Sequence, residues 1–300
     1  MSEYKMLNIK GKLITLERPV VMGILNVTPD SFYAGSRRQG DDAVVERIET
    51  ILAEGGDWID IGGYSTRPDA PKVAPEEEWR RLEPALDILA KKYARVPVSV
   101  DTFRADLAKR AVQDYGVAMM NDISGGALDA DMFATVAALQ VPYILTHFEN
   151  ASDVLHPNQN ISDAKTPNQN ASDVLPSNPD FNRMLEDVML YFAEKLQCLR
   201  ALGVNDVIID PGFGFGKTLE QNYALMRSLK NFTLLFDCPL MVGVSRKSMI
   251  YNLLECTADE SLMGTSVLNA YSLLHGADIL RVHDVKAAVE VVKLVDKLKC

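Results

Sequence analysis

Eight short apolar runs recur along the chain, and nearly every one stops on a polar, charged or glycine residue. VVMGILNV runs into Thr28, WIDIGG into Tyr64, PVSV into Asp101, VAMMN into Asp122, PYILT into His147, VIID into Pro211, PLMVGV into Ser245 and ILRV into His283. Apolar runs of about four to eight residues without strict alternation read as strands buried on both faces. Stretches with helical apolar spacing lie between most of them, and eight such alternations predict an α/β fold, a single-domain (β/α)8 or TIM barrel. In that architecture the active site sits at the C-terminal ends of the strands, so polar residues closing strand after strand are what a catalytic mouth requires.

The chain has 300 residues, which one barrel domain can absorb, so residues 1–300 read as one domain. Its formal charge is −10, from 31 Lys plus Arg against 41 Asp plus Glu, and no basic run stands out. That balance argues against nucleic acid or an anionic membrane as a partner, and it means that an anionic substrate must be held by a local cluster of cations. Cys198, Cys238, Cys256 and Cys300 are widely separated, with neither metal-ligand nor redox spacing. The opening MSEYKMLNIKGKLITLERP lacks a signal-peptide pattern, and no stretch approaches the roughly 20 apolar residues that span a bilayer. A soluble cytoplasmic enzyme is the expectation.

Residues 4–17 are expected to form a short hairpin capping the barrel bottom. Strands are expected at Val20–Val27, Trp58–Gly62, Pro97–Val100, Val117–Asn121, Pro142–Thr146, Asp206–Ile209, Pro239–Val244 and Ile279–Val282. Helices are expected at Asp41–Glu54, Glu76–Lys92, Arg104–Asp114, Phe181–Ala201, Leu219–Leu229, Lys247–Leu254, Ser261–His275 and Val285–Leu298. Residues 150–179 break the pattern with a tenfold period repeated three times, rich in Asn, Ser, Asp, Gln and Pro. Such a segment can bury little, and it reads as a polar tandem-repeat loop inserted after the fifth strand.

Chemistry-bearing residues gather at five places: Asn26 to Phe32; Gly62 to Pro68; Asp101-Thr102 with Asn121 to Gly126; Asp210 to Lys217; and Ser245 to Ser248 with Arg281 to Asp284. Each also has a plain structural reading. Asp101 and Asp284 precede helices and would serve as N-caps. The glycines of GFGFGK need only answer a positive φ, and the run is not a phosphate loop because Pro211 stands where its first glycine belongs. His147 and His275 read as structural or merely exposed, whereas His283 shares a strand face with Arg281 two residues away.

The joint placement of these clusters on one rim is what favours function. Asp101, Asn121 and Asp210 offer acceptors and one amide, which suits a flat heterocycle with amino and ring N–H donors. Arg67, Arg246, Lys247, Arg281 and His283 suit a phosphate or diphosphate.

GILNVTPDSF, DIGGYSTRP, SVDT, NDISGG, DPGFGFGK, SRKS and RVHD, in this order and spacing, closely resemble the motif set of the dihydropteroate synthase family, the folate-pathway target of sulfonamides. The resemblance spans about residues 20–149 and 180–298. It implies joining of 6-hydroxymethyl-7,8-dihydropterin diphosphate to p-aminobenzoate, with release of diphosphate. It further implies that Asp101, Asn121, Asp210, Lys247 and Phe215 bind the pterin, and that Thr66, Arg281 and His283 hold the diphosphate. Asn26 would ligate Mg2+, while Phe32, Thr66, Arg67, Pro68, Phe215 and Ser248 would form the p-aminobenzoate site. Asp101, Asp210, Lys247 and Arg67 would carry the catalysis, in a homodimer, as is usual for the family.

Two departures from the family pattern stand out. The first loop commonly reads TPDSFSDGG, and here Tyr33-Ala34 replace its Ser-Asp pair, so the loop aspartate is missing. The second commonly reads GGESTRPG, and here Tyr64 and Asp69 replace the Glu and the final Gly. Tyr64 is expected to be structural, and the absence of an inserted aromatic after Pro68 implies sulfonamide sensitivity. Competing readings are another pterin-binding barrel, such as the methyltetrahydrofolate domain of corrinoid methyltransferases, or a non-catalytic pterin carrier.

Overall fold

The computed structural model describes residues 4–28, 37–64, 72–149 and 179–298. The repeat loop, the first-loop residues from Pro29 to Ser36 and the second-loop residues from Ser65 to Pro71 lie outside them. An antiparallel hairpin comes first, β1 (Met6–Ile9) and β2 (Lys12–Thr15). Lys10 and Gly11 turn it with φ of 51° and 76°, the left-handed pair that a two-residue hairpin loop prefers.

Eight parallel strands follow: β3 (Val20–Asn26), β4 (Trp58–Gly62), β5 (Val98–Asp101), β6 (Met119–Asp122), β7 (Tyr143–Thr146), β8 (Val207–Asp210), β9 (Met241–Val242) and β10 (Ile279–Val282). They pair in the order β8-β7-β6-β5-β4-β3-β10-β9, and a bridge from Ile209 to Leu240 joins the two ends into a closed barrel. Around it run helices α1 (Arg37–Ala53), α2 (Pro75–Lys92), α3 (Ala105–Tyr115), α4 (Met132–Leu139), α5 (Pro179–Ala201), α6 (Leu219–Arg227), α7 (Leu229–Leu235), α8 (Ser248–Tyr251), α9 (Leu262–Leu274) and α10 (Val285–Leu298). The expected (β/α)8 barrel with its N-terminal hairpin is the fold found.

Helix α2 shows how the sequence makes these elements. Pro75 opens it, Glu76, Glu77 and Glu78 occupy the first turn and Lys91 and Lys92 the last, each charge complementing the helix dipole. Its Trp79, Leu82, Leu86 and Leu89 are buried at helical spacing.

The continuous apolar runs resolve into two cores by strand alternation. Ile59, Ile61, Val98, Val100, Met120, Leu145, Val207, Ile209 and Leu280 pack outward under the helices. Met22, Trp58, Met119, Ile144, Ile208, Met241 and Ile279 form a separate cluster inside the barrel, together with Leu7, Ile9 and Leu16. Leu7 and Ile9 are 1% and 5% exposed, so the hairpin plugs the barrel floor and contributes about 3–6 kcal/mol through these two side chains.

Four local expectations change. The helix expected at Leu219–Leu229 ends at Arg227, and a separate helix not foreseen, α7 (Leu229–Leu235), follows it. Helix α4 was not foreseen, because MFATVAAL is two turns long and lacks a polar face to give it a period. Strand β9 keeps only two of the six expected residues. The helix expected at Lys247–Leu254 is a single turn, α8, with Lys247 as its N-cap residue.

Candidate active site

Strand register places four polar or glycine positions side by side at the barrel mouth. Asn26 pairs with Gly62, Gly62 with Asp101, and Asp101 with Asn121, across β3 to β6. Because alternate residues share a face, all four belong to the inward set that contains Met22, Trp58 and Met119. One step deeper, Asp60 on β4 pairs with Ser99 on β5, and both are fully buried.

Asp60 is the residue that sequence reasoning passed over. Its carboxylate accepts from the Ser99 hydroxyl, from Asn121 Nδ2 at 3.0 Å and from Arg281 Nε at 2.6 Å. Arg281 also donates to Asp101 Oδ2 at 2.8 Å, so one guanidinium on β10 ties the middle of β4 to the end of β5. The signal was present in WIDIGG, since a carboxylate in the middle of an apolar strand must be paired.

This network fixes the Asn121 amide. Only its NH2 end can face a carboxylate, so Oδ1 points elsewhere, and that oxygen is buried without a partner among the described residues. Asp101 keeps Oδ1 free beside it, with no hydrogen bond among the described residues. Burial raises the pKa of Asp101, with Arg281 opposing the rise and the Asp60 carboxylate adding to it. Burial alone would lower the pKa of Arg281; Asp60 and Asp101 outweigh it and hold the guanidinium charged.

Opposite this set, Asp210 closes β8 and Lys247 follows β9. Asp210 Oδ1 accepts from Gly212 N at 2.8 Å, and burial raises its pKa against the pull of Lys247. Lys247 Nζ donates to Phe213 O at 2.6 Å and lies 4.3 Å from the centre of the Phe215 ring, which itself packs on Phe148. Burial lowers the lysine to about 8, with Asp210 resisting.

The glycines of the Asp210 loop answer geometry. Gly212, Gly214 and Gly216 have φ of +72°, +82° and +69°, and a Cβ on Gly212 would lie 1.9 Å from His147 O. Lys217 Nζ donates to three carbonyls, those of His147, Gly212 and Phe215, so this lysine holds the loop together. Burial brings it down to about 7.

At the far side His283 follows β10. Its ring Nδ1 and its backbone N each lie 3.1 Å from Ser245 Oγ, and Arg47 donates to its carbonyl at 2.7 Å. Burial, then Arg281, brings the imidazole down to about 4, so it is neutral at physiological pH.

Several sequence expectations are corrected here. Arg246, expected among the cations for a phosphate, is engaged by carboxylates instead: it bonds both oxygens of Asp284 at 2.9 and 2.8 Å and Asp259 at 2.6 Å. That clamp engages the Asp284 carboxylate, which had been expected to cap α10. Asp101 is likewise no cap, since α3 begins after Arg104 and Asp101 is bound to Arg281. Ser248 opens a helix of four residues, too short for the dipole argument, although its hydroxyl has no partner among the described residues. Phe32, Ala34, Thr66, Arg67 and Pro68 lie outside the described residues. Tyr64 packs edge-on against Phe103 at 5.5 Å, in keeping with a structural role.

Asn26 Oδ1 and Asp101 Oδ2 flank the same space, each 3.8 Å from the point where Gly62 would carry a Cβ. The Asn26 amide has no hydrogen bond among the described residues. A free hard oxygen at the mouth fits Mg2+, which keeps most of its waters and takes one or two protein oxygens plus phosphate. No group of three or more His, Cys, Asp or Glu side chains suited to a metal ion occurs among the described residues.

Comparison with known proteins agrees with this geometry. Residues 22–283 match the pterin binding enzyme family. The chain is 35% identical over 285 residues to the dihydropteroate synthase of Synechocystis sp., covering 94% of this chain and 91% of that one. Its fold superposes on a dihydropteroate synthase of Xanthomonas albilineans solved with 4-aminobenzoic acid, with a TM-score of 0.83, 32% identity and 99% of both chains covered. It also superposes on one from Coxiella burnetii in complex with pteroic acid, with a TM-score of 0.80, 32% identity and 98% of both chains covered.

Proposed function

This chain belongs to the dihydropteroate synthase family of pterin-binding enzymes, and from that premise we propose how its residues divide the reaction. The enzyme transfers a pterinylmethyl group from 6-hydroxymethyl-7,8-dihydropterin diphosphate to the amine of p-aminobenzoate. Asp101, Asn121, Asp210 and Lys247 take the pterin ring. The observation that carries this reading is Asn121 Oδ1, a buried acceptor without a partner among the described residues, whose amide is already oriented by Asp60. An unmet acceptor of that kind costs about 1–3 kcal/mol and is relieved by an amino or ring N–H donor. The free oxygens of Asp101 and Asp210 supply further acceptors for the same edge of the heterocycle. Phe215, beneath Lys247 Nζ, offers the ring face on which the pterin and the benzoate meet.

Arg281 and His283 take the diphosphate. Arg281 is charged and braced by two carboxylates, so the leaving diphosphate adds a third partner without moving the guanidinium. Asn26 would hold Mg2+, which when bound would supply charge neutralisation to the leaving diphosphate. The substitution is dissociative: the dihydropterin spreads the positive charge left on its methylene carbon, and the Asp101 and Asp210 carboxylates favour that cation. Thr66, Arg67, Pro68, Phe32 and Ser248 form the amine site, with Thr66 also reaching the diphosphate.

Assembly as a homodimer is supported by the apolar residues left exposed on the helices after β9 and β10. Met263, Val267 and Leu274 on α9, Leu254 in the turn before it and Leu294 on α10 are each at least half exposed. The pterin-site reading is tested by calorimetric titration of dihydropterin diphosphate into Asp210→Ala and Lys247→Ala variants. Affinity losses of tenfold or more are expected, with far-UV circular dichroism unchanged, and near-normal affinity in either variant contradicts the assignment.

A further inference from the structure

The SRKS motif holds one polar group that the reading above leaves unused, the hydroxyl of Ser245. Its residue is 4% exposed, directly after the run that forms β9, and its Oγ touches two atoms of one neighbour: His283 N and His283 Nδ1, both at 3.1 Å. A serine hydroxyl has one proton and two lone pairs. The backbone N–H of His283 can only donate, so it takes one lone pair. The hydroxyl proton then needs an acceptor, and among the described residues Nδ1 is the acceptor within reach. If Nδ1 carried a proton instead, Oγ would accept twice and its own proton would be buried with nothing to meet.

We propose that Ser245 is a positioning residue that locks His283 as the Nε2–H tautomer and fixes its ring, leaving Nε2–H as the donor offered to a diphosphate oxygen. The second contact, to the backbone N–H, matters as much as the first. By holding main chain and ring of the same residue, Ser245 removes the freedom of the ring to swing away. Arg47 secures the other side of the same backbone, donating to the carbonyls of His283 at 2.7 Å and Ile24 at 3.2 Å. The surroundings favour a neutral ring: Arg281, Arg246 and Arg47 all disfavour a further cation, and Asp284, the carboxylate that opposes them, is paired with Arg246. A neutral Nε2–H differs in its chemistry from a third positive charge. It contributes directional hydrogen bonding to the leaving group while Arg281 supplies the charge.

This inference rests on the assignment of His283 to the diphosphate, and the test separates the two. The chain has four histidines, so selective 15N-histidine labelling gives a tractable long-range 1H–15N spectrum, and the His283→Gln spectrum identifies the His283 signals. At pH 7.5 the wild-type protein is expected to show the Nε2–H pattern at His283, with Nδ1 shifted as a hydrogen-bond acceptor. Ser245→Ala is expected to lose that acceptor shift, to weaken inhibition by diphosphate roughly tenfold, as removal of a partner that orients an imidazole does, and to leave the KM for p-aminobenzoate within twofold. Ser245→Thr, which keeps the hydroxyl, is expected to restore both the shift and the inhibition. A wild-type Nδ1–H or imidazolium pattern overturns the proposal whether or not any variant folds, as does a Ser245→Ala protein with the wild-type spectrum and diphosphate affinity. Unchanged diphosphate inhibition in His283→Gln would instead remove the diphosphate assignment itself, while the tautomer of the wild-type ring would still be read directly.

Discussion

Replacing Asp60 by asparagine removes one charge from the centre of the site and almost no volume. The amide can keep its oxygen toward Asn121 Nδ2 and Arg281 Nε, turning its NH2 toward Ser99, whose hydroxyl can accept. What is lost is the charge assistance of two buried hydrogen bonds. A bond to a charged group contributes about 1.5–3 kcal/mol against about 1 for a neutral pair, so the two together lose about 1–4 kcal/mol. At about 2–4 °C per kcal/mol, the apparent melting temperature should fall by about 2–16 °C.

Arg281, left with Asp101 as its remaining carboxylate, is then drawn toward β5 and away from the leaving group. The value of kcat/KM for dihydropterin diphosphate should fall about 10- to 100-fold, equivalent to about 1.4–2.7 kcal/mol. The KM for p-aminobenzoate should stay within twofold. Removing the Asp60 charge also lowers the pKa of Asp101, which that charge helps to raise, so any acid limb that Asp101 sets should move to lower pH. Differential scanning fluorimetry and a diphosphate-release assay measure these quantities. An Asp60→Asn protein melting within a degree of wild type, with kcat/KM within twofold, refutes the claim that Asp60 organises the site.

Lys247→Arg addresses the lysine lowered to about 8: the native protein sheds that proton near pH 8, so wild-type kcat/KM for the pterin substrate should decline above it. Arginine stays charged, so the variant should be slower yet keep its rate across that range, and an unmoved alkaline limb would exclude Lys247 as its source. Lys217→Met leaves three part-buried carbonyls without their donor and should cost about 2–4 kcal/mol in denaturant unfolding, with a raised KM for p-aminobenzoate as Phe215 loses its support. Unchanged stability would show that the loop does not depend on that clamp. Met263→Glu, at a residue 75% exposed on α9, should shift light-scattering mass from dimer toward monomer; a wild-type dimer in the variant places the interface elsewhere.

The barrel was legible because each inward and outward position of a strand is buried, which leaves unbroken apolar runs. Its rim was legible because those runs stop on Asp101, Asp210 and His283. Asp60 escaped notice because it sits inside a run, where the eye counts apolar neighbours and skips the one charge between Ile59 and Ile61. Arg246 misled for the opposite reason. It stands in a basic motif beside Lys247, yet a backbone φ of +55° and the carboxylates of Asp284 and Asp259 turn it out of the site. Neither carboxylate is its neighbour in sequence, and pairing across 13 and 38 residues has no local signal. Helix α4 was lost because a short, uniformly apolar segment has no period to read.

The central claim is that one polar ring at the barrel mouth binds a pterin diphosphate and releases its leaving group only to an amine. The most direct measurement is diphosphate release from 6-hydroxymethyl-7,8-dihydropterin diphosphate in Mg2+ buffer, with and without p-aminobenzoate, with dihydropteroate followed in parallel. Release and product should rise together, one for one, and turnover should cease without the amine. Sustained release in its absence, or no release in its presence, would contradict the account.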